Sequence, residues 1–313
     1  MSGSALLYQP IDPVRAFLEE RLPAPLLEPV LLGPLREFLQ RGGKQLRARL
    51  VTVAWQLAQG RGEPPPALPL ALELLHAGSL IVDDIEDAAT ERRGAPALHV
   101  SAGLPVALNG GNWLYFAALE LLGSLPIGDA RTARVLRRAN AALASCHEGQ
   151  ALDVGVRISQ VPQREAPALV RAISERKTGG LASLCTSLAA ICAGAPPPLL
   201  QALSAFGAGL GVGLQILDDT GSIASEERRE KGLEDLRNDR ATWAWALLAE
   251  ELDACEYRRL QREPQLDELR ALLGRRGLVR ARSELQQALH HLRGHPHEQA
   301  SALVASMEKS YGF

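Results

Sequence analysis

Apolar residues recur at three- and four-residue spacing along almost the whole chain, the pattern of helices that each bury one face. The spacing is plain over residues 104–122, 130–152, 169–193 and 199–217, and 266–292 reads as a further helix pair broken near Gly274 and Gly277. No segment alternates apolar and polar positions with the period of two that a half-buried strand requires. The pattern predicts an all-α fold of roughly ten or more helices in one domain, with residues 1–12 flexible. Residues 70–82 and 203–217 are apolar on most faces, which puts them at the centre of the bundle, beside a deep apolar cavity with a charged mouth. The Pro-rich pieces 63–66 and 195–198 read as loops between helices.

Each of the two central runs leads directly into carboxylates. The first continues as Asp83-Asp84-Ile85-Glu86-Asp87, followed by Arg92-Arg93-Gly94, and the second as Gln215-Ile216-Leu217-Asp218-Asp219. Carboxylates at the end of an apolar helix are unfavourable unless a cation pairs with them. Asp83 and Asp87, four apart, share a helix face with Cβ atoms roughly 5–6 Å apart. Asp84 points about 100° away and suits a supporting role or a nearby cation. Mg²⁺ takes one or two protein carboxylates and fills its remaining positions with water and phosphate oxygens. Two acidic clusters, each with Arg or Lys nearby, therefore point to facing helix ends that hold Mg²⁺ and a phosphorylated substrate.

Composition narrows the alternatives. With 34 Lys and Arg against 36 Asp and Glu, the net charge of −2 implies no broad nucleic-acid surface. Cys146, Cys185, Cys192 and Cys255 show no CxxC spacing and read as reduced residues of a cytoplasmic protein. No charged-then-apolar leader opens the chain. The apolar stretch 66–82 carries Glu73 and His76 and falls short of the roughly 20 residues of a membrane span.

Taken in order, the polar residues resemble the motifs of the trans-isoprenyl diphosphate synthases, the polyprenyl synthetase family. Gly42-Gly43-Lys44-Gln45-Leu46-Arg47 resembles GGKxxR, and His76 to Asp84 resembles HxxSLxxDD, running on into DDxxDxxxxRRG. Gly149-Gln150-Ala151-Leu152-Asp153 resembles GQxxD, Lys177-Thr178 the KT pair, Gln215 to Asp219 QxxDD, and 235–243 the DLxxxKxT segment with Arg240 in place of Lys. The resemblance covers residues 41 to 247. It implies a Mg²⁺-dependent head-to-tail prenyltransferase that condenses isopentenyl diphosphate with an allylic diphosphate, and it implies a homodimer.

By the same resemblance, Lys44, Arg47, His76 and Arg93 bind isopentenyl diphosphate, while Arg92, Lys177, Thr178, Gln215 and Arg240 surround the allylic diphosphate. Asp83, Asp87 and Asp218 would hold three Mg²⁺ ions, supported by Asp84 and Asp219, with Glu226 supplying a further carboxylate. Asp83, Asp84, Asp87, Arg92, Lys177 and Asp218 are thus the candidate catalytic set.

The chain departs from the pattern at Ser222, where a third Asp is usual. Asp218, Ser222 and Glu226 form one helix stripe that resembles the metal triad of class I terpene cyclases. A cyclase on the same fold is therefore the alternative. It has no second diphosphate to bind and no need for Lys44, Arg47, His76 and Arg93. Gly78, five residues before Asp83, falls where the family sets product length, and a glycine leaves the floor open. With Ser79 beside it, and Trp113, Tyr115 and Phe116 as a deeper floor, the expected product is C20 or longer.

Overall fold

The computed structural model describes residues 26–42, 46–224, 238–263 and 266–310. Residues 1–12, Lys44, Glu226 and the run 231–237 lie outside them. A π-helical turn, Glu28–Leu32, leads into α1 (Gly33–Gln40), α2 (Leu46–Leu57) and α3 (Ala67–Glu86). Strands β1 (Glu91–Arg92) and β2 (Ala95–Pro96) precede α4 (Leu98–Ser101), α5 (Leu104–Gly123) and α6 (Asp129–Gly155). Two short 3₁₀ turns, α7 (Ala166–Ser174) and a second π-helical turn, Glu175–Gly179, follow. The chain then forms α8 (Gly180–Ala193), α9 (Pro197–Ala224), α10 (Trp243–Glu251), α11 (Ala254–Arg262), α12 (Leu266–His290) and α13 (Glu298–Ser310).

Local chemistry sets the helix ends. Pro34, Pro105 and Pro167 each occupy a first turn, where proline's missing N–H has no intrahelical partner to lose. Gly194 closes α8 in the left-handed conformation, with φ 81° and ψ 28°.

By internal packing the described residues form two compact units, one drawn from 26–49 and 64–136, the other from 50–63 and 137–310. In the first, α3 packs along α5. A Cβ on Gly78 would sit 2.7 Å from the carbonyl oxygen of Gly111 and 3.3 Å from the Leu114 Cβ. In the second, α9 packs against α8 and α12, burying Leu203, Phe206, Leu210 and Ile216.

One sequence expectation about the helices needs correction. Gly274 and Gly277 do not break a helix pair, because α12 runs unbroken through both. A Cβ at 277 would collide with Thr220 at 2.2 Å and one at 274 would touch Ala224 at 3.2 Å, so these glycines allow close approach to α9. The all-α expectation holds, and the β1–β2 hairpin, with register Arg92↔Ala95, is the one strand pair among the described residues. Two-residue strands are too short to show any period.

Helix α9 is long and apolar enough to cross a membrane by length and composition, and half of its most apolar window is buried within the fold.

Tyr257 on α11 yields a stability prediction. Its ring is buried edge-on to Trp245, with centroids 5.8 Å apart, and its hydroxyl has no hydrogen-bond partner among the described residues. Burial, with a smaller push from Asp239, raises the phenol to about 12. Tyr257→Phe removes an unpaired buried hydroxyl and should stabilise the protein by about 1 kcal/mol in urea unfolding. The raised phenol of the folded state holds a proton that the unfolded chain releases above about pH 10. Wild type therefore loses stability as pH rises from 10 towards 12, and the Phe variant should lack that loss.

Candidate active site

Asp83 and Asp84 fall in the last turn of α3, and Asp87 is its C-cap residue. The Asp87 N–H donates to the Asp83 carbonyl at 2.9 Å, so the helical path continues and both carboxylates lie on one side. The helix C-terminus carries negative partial charge and disfavours all three. Arg92 offsets this. Its Nε donates to Asp84 Oδ1 at 2.7 Å, its Nη2 donates to the same oxygen, and Nη2 lies 3.9 Å from Asp83 Oδ2. Asp84 is wholly buried, and its Oδ2 has no hydrogen-bond partner among the described residues. Burial raises the Asp84 carboxyl, opposed by the Arg92 contact. For Arg92, burial opposes the charge, but the hydrogen bonds it donates to Asp84, with the fields of Asp84, Asp83 and Asp87, outweigh it and hold the guanidinium above its ordinary value.

The hairpin explains the Arg-Arg-Gly run. Arg93 and Gly94 are its two central residues, with φ of 56° and 74°. A two-residue hairpin of type I′ requires positive φ at both, and glycine meets that without penalty. Arg41, the C-cap of α1, ties the turn down by donating from Nη1 to the Pro96 carbonyl at 2.8 Å.

His76 lies two turns before Asp83 on α3 and is half-buried. Burial drives the imidazole well below its ordinary value, and the charges of Arg47, Arg93 and Arg92 push it further. It is neutral at physiological pH, with three guanidinium groups acting on it. Arg47 Nε lies 3.2 Å from Glu73 Oε1. Glu73 sits one turn before His76 and was not singled out in the sequence.

A pH dependence follows. The unfolded chain binds a proton at His76 below about pH 6.5 and the folded chain does not, so stability falls as pH drops through that value. Each pH unit below 6.5 should remove up to about 1.4 kcal/mol, until the lowered folded value is reached. Urea unfolding at pH 7.5 and 5.5 should show a smaller acid loss in His76→Gln than in wild type.

The second unit gathers the remaining candidates. Lys177 and Thr178 lie in the π-helical turn between α7 and α8, and such turns recur at functional positions. Lys177 Nζ donates to Asp153 Oδ2 at 2.5 Å, and Arg240 Nη1 donates to the Asp153 carbonyl at 2.9 Å. Asp153, at the end of α6, thus holds both cations, a role not assigned to it from the sequence. Thr178 Oγ1 donates to Gln215 Oε1 at 2.5 Å, and Gln215 Nε2 donates to Asp219 Oδ1 at 2.7 Å. The other Asp219 oxygen accepts from the Trp243 N–H at 2.9 Å, at the start of α10.

These contacts revise several expected roles. Both ends of the Gln215 amide and both Asp219 oxygens are engaged within the protein, so this pair braces α9 against the π-turn and α10. Asp218 is half-buried within α9, which runs six residues past it; the second acidic pair is inside a helix rather than at its end. Ser222 is fully buried and donates to the Asp219 carbonyl at 2.9 Å, an internal helix contact that disfavours it as a metal ligand. Gly78 does not border open space, because α5 fills the direction a side chain would take. Phe116 is 71% exposed and forms no floor. Trp113 and Ser79 are half-buried, and the Ser79 hydroxyl closes on the His76 carbonyl at 2.8 Å. Lys44 and Glu226 lie outside the described residues.

Among the described residues no three His, Cys, Asp or Glu side chains cluster tightly enough to hold a metal by themselves. The donors present are all carboxylates, including the unpartnered Asp84 Oδ2, and they suit a hard divalent cation that asks for only one or two of them.

Residues 28–271 match the polyprenyl synthetase family. The chain is 31% identical over 219 residues to the geranylgeranyl diphosphate synthase of Sulfolobus acidocaldarius, covering 69% of this chain and 64% of that one. It is 33% identical over 202 residues to the short chain isoprenyl diphosphate synthase of Methanothermobacter thermautotrophicus, covering 63% and 59%. The match thus spans less than two thirds of the length of these relatives. The crystal structure of geranylgeranyl pyrophosphate synthetase from Pyrococcus horikoshii is similar with a TM-score of 0.76 at 25% identity, covering 96% of each chain.

Proposed function

Given that the chain belongs to the polyprenyl synthetase family, we propose that it is a magnesium-dependent prenyltransferase joining isopentenyl diphosphate to an allylic diphosphate. The observation that carries this reading is the group of Arg47, Arg93 and Arg92 around the neutral His76. Arg92 is paired with Asp84 and Arg47 lies 3.2 Å from Glu73, so Arg93 is the charge of the three left for an anion, and isopentenyl diphosphate is that anion. A cyclase has no use for this group, and the buried Ser222 weakens the cyclase reading further.

Lys177, Thr178 and Arg240 hold the allylic diphosphate, positioned by Asp153 and Gln215. Asp83 and Asp87 in the first unit and Asp218 in the second would be ligands for magnesium, three ions in all, and bound magnesium would supply positive charge to the departing diphosphate. Arg92 and Lys177 add to that charge from the protein itself. The isopentenyl double bond attacks the allylic carbon, and the released diphosphate accepts the proton lost from the adduct. The geranylgeranyl names of the Sulfolobus acidocaldarius and Pyrococcus horikoshii proteins support a product of at least C20, whereas the Methanothermobacter thermautotrophicus name gives no length.

Leu104, Leu108 and Phe116, exposed along one side of α5, support a homodimer through that helix. Light scattering at micromolar concentration should give twice the chain mass, and Phe116→Glu should shift it to monomer. The four unbridged cysteines support a reducing, cytoplasmic location, which fractionation of the source cells would test.

Isopentenyl diphosphate should bind the purified protein saturably in calorimetry, and Arg47→Gln and Arg93→Gln should each weaken it at least tenfold. Affinity unchanged in both variants would remove the observation on which the reading stands.

A further inference from the structure

Arg138, on α6, is the exception to the pairing seen around the carboxylates. It lies fifteen residues before Asp153 on the same helix, which places it about 22 Å along the axis from that residue. Its Nε donates to Ser187 Oγ at 3.1 Å, and its Nη2 donates to Ser183 Oγ at 3.0 Å and Ser204 Oγ at 3.1 Å. No described carboxylate lies within ion-pair distance of it. Hydroxyl oxygens satisfy N–H donors but leave the positive charge uncompensated, and burial pulls the guanidinium below its ordinary value.

The hydroxyl protons can be counted. Ser187 donates to the Leu184 carbonyl at 3.3 Å, and one proton is shared between Ser183 and Ser204 at 2.9 Å. One hydroxyl proton of that pair is left without an acceptor. Among the described residues Arg138 Nη1 likewise donates to no acceptor, and it is not sealed from solvent.

Arg138 and the three serines border an open cavity of ≈ 520 Å³. Its other walls include Ile191, Pro197, Leu200, Ala205 and Ala208. A mostly apolar pocket of several hundred Å³ with a few convergent polar groups is the usual form of a small-molecule site.

We propose that this cavity binds an amphiphilic oxyanion, its head on Arg138 and the spare Ser183 or Ser204 hydroxyl, its apolar tail along Ile191, Leu200 and Ala208. The shared chemistry is a phosphate or carboxylate on a short alkyl chain. The proposal does not depend on the prenyltransferase reading.

The test is calorimetric titration of the purified chain in EDTA, which removes divalent metal, with octyl phosphate, octanoate, octanol and inorganic phosphate as probes. At least one of the two amphiphilic anions should bind saturably and at least tenfold more tightly than octanol or inorganic phosphate; which of them does so identifies the head group. Arg138→Gln should weaken that binding tenfold or more. Ser204→Asp, which supplies the missing carboxylate inside the cavity, should do the same and keeps the test valid if the first variant fails to fold. Octanol binding as tightly as the anions, affinity unchanged in the folded variants, or no saturable binding of either anion would overturn the proposal and leave Arg138 as a brace between α6, α8 and α9.

Discussion

Replacing Asp83 with alanine should lower prenyl transfer on the order of 10²–10³-fold, the usual effect of deleting one group that stabilises developing charge. The fold should tolerate the change. Asp83 is half-buried in the last turn of α3, where a carboxylate opposes the helix dipole, so its removal relieves a small unfavourable term. Arg92 keeps its closer partner Asp84. Urea unfolding of the metal-free variant should therefore match wild type or lie slightly above it, while turnover under saturating substrate collapses. A variant that lost stability in step with activity would mark Asp83 as structural instead.

Replacing Asp84 with alanine should show the opposite balance. Asp84 is wholly buried and Arg92 about a quarter exposed, so the pair is only partly screened. Breaking a fully buried ion pair by removing one partner costs roughly 3–5 kcal/mol, and the exposure of Arg92 reduces that to about 2–3 kcal/mol here. Activity should fall as well, through Arg92. Its Nη2 already lies 3.9 Å from Asp83 Oδ2, and with Asp84 gone it is free to pair with Asp83 and occupy a proposed magnesium ligand. The apparent magnesium requirement should rise several-fold, an effect a purely global destabilisation would not produce. Asp84→Asn keeps an oxygen for the Arg92 Nε without the charge and should fall between the two.

Helices were legible in the sequence because each buries a continuous face, and a spacing of three and four residues records that directly. The run 104–122 became α5 (Leu104–Gly123) and 130–152 became α6 (Asp129–Gly155) almost unchanged. The acidic and basic candidates were legible as an ordered set of motifs. What each one touches was not. Gln215 and Asp219 looked like ligands because they are polar residues within an apolar run, yet their partners are Thr178 and the Trp243 N–H, contacts set by tertiary packing.

Glycines misled in two ways. At 274 and 277 they read as helix breaks, and at 78 as open space, yet at all three positions the missing Cβ makes room for a neighbouring helix. That function depends on where α5 and α9 run, which local spacing does not encode. The Arg93-Gly94 turn is similar, since its positive φ values leave no periodic trace. The pocket at Arg138 escaped notice because three serines and one arginine spread over residues 138–204 form no motif.

The reaction proposed for this chain is extension of an allylic diphosphate by isopentenyl diphosphate. Mass spectrometry of the products from purified protein, Mg²⁺ and farnesyl diphosphate, with and without isopentenyl diphosphate, tests it most directly. Prenyl diphosphates of C20 or longer should form only when isopentenyl diphosphate is present. A terpene hydrocarbon or alcohol formed from farnesyl diphosphate alone would contradict it.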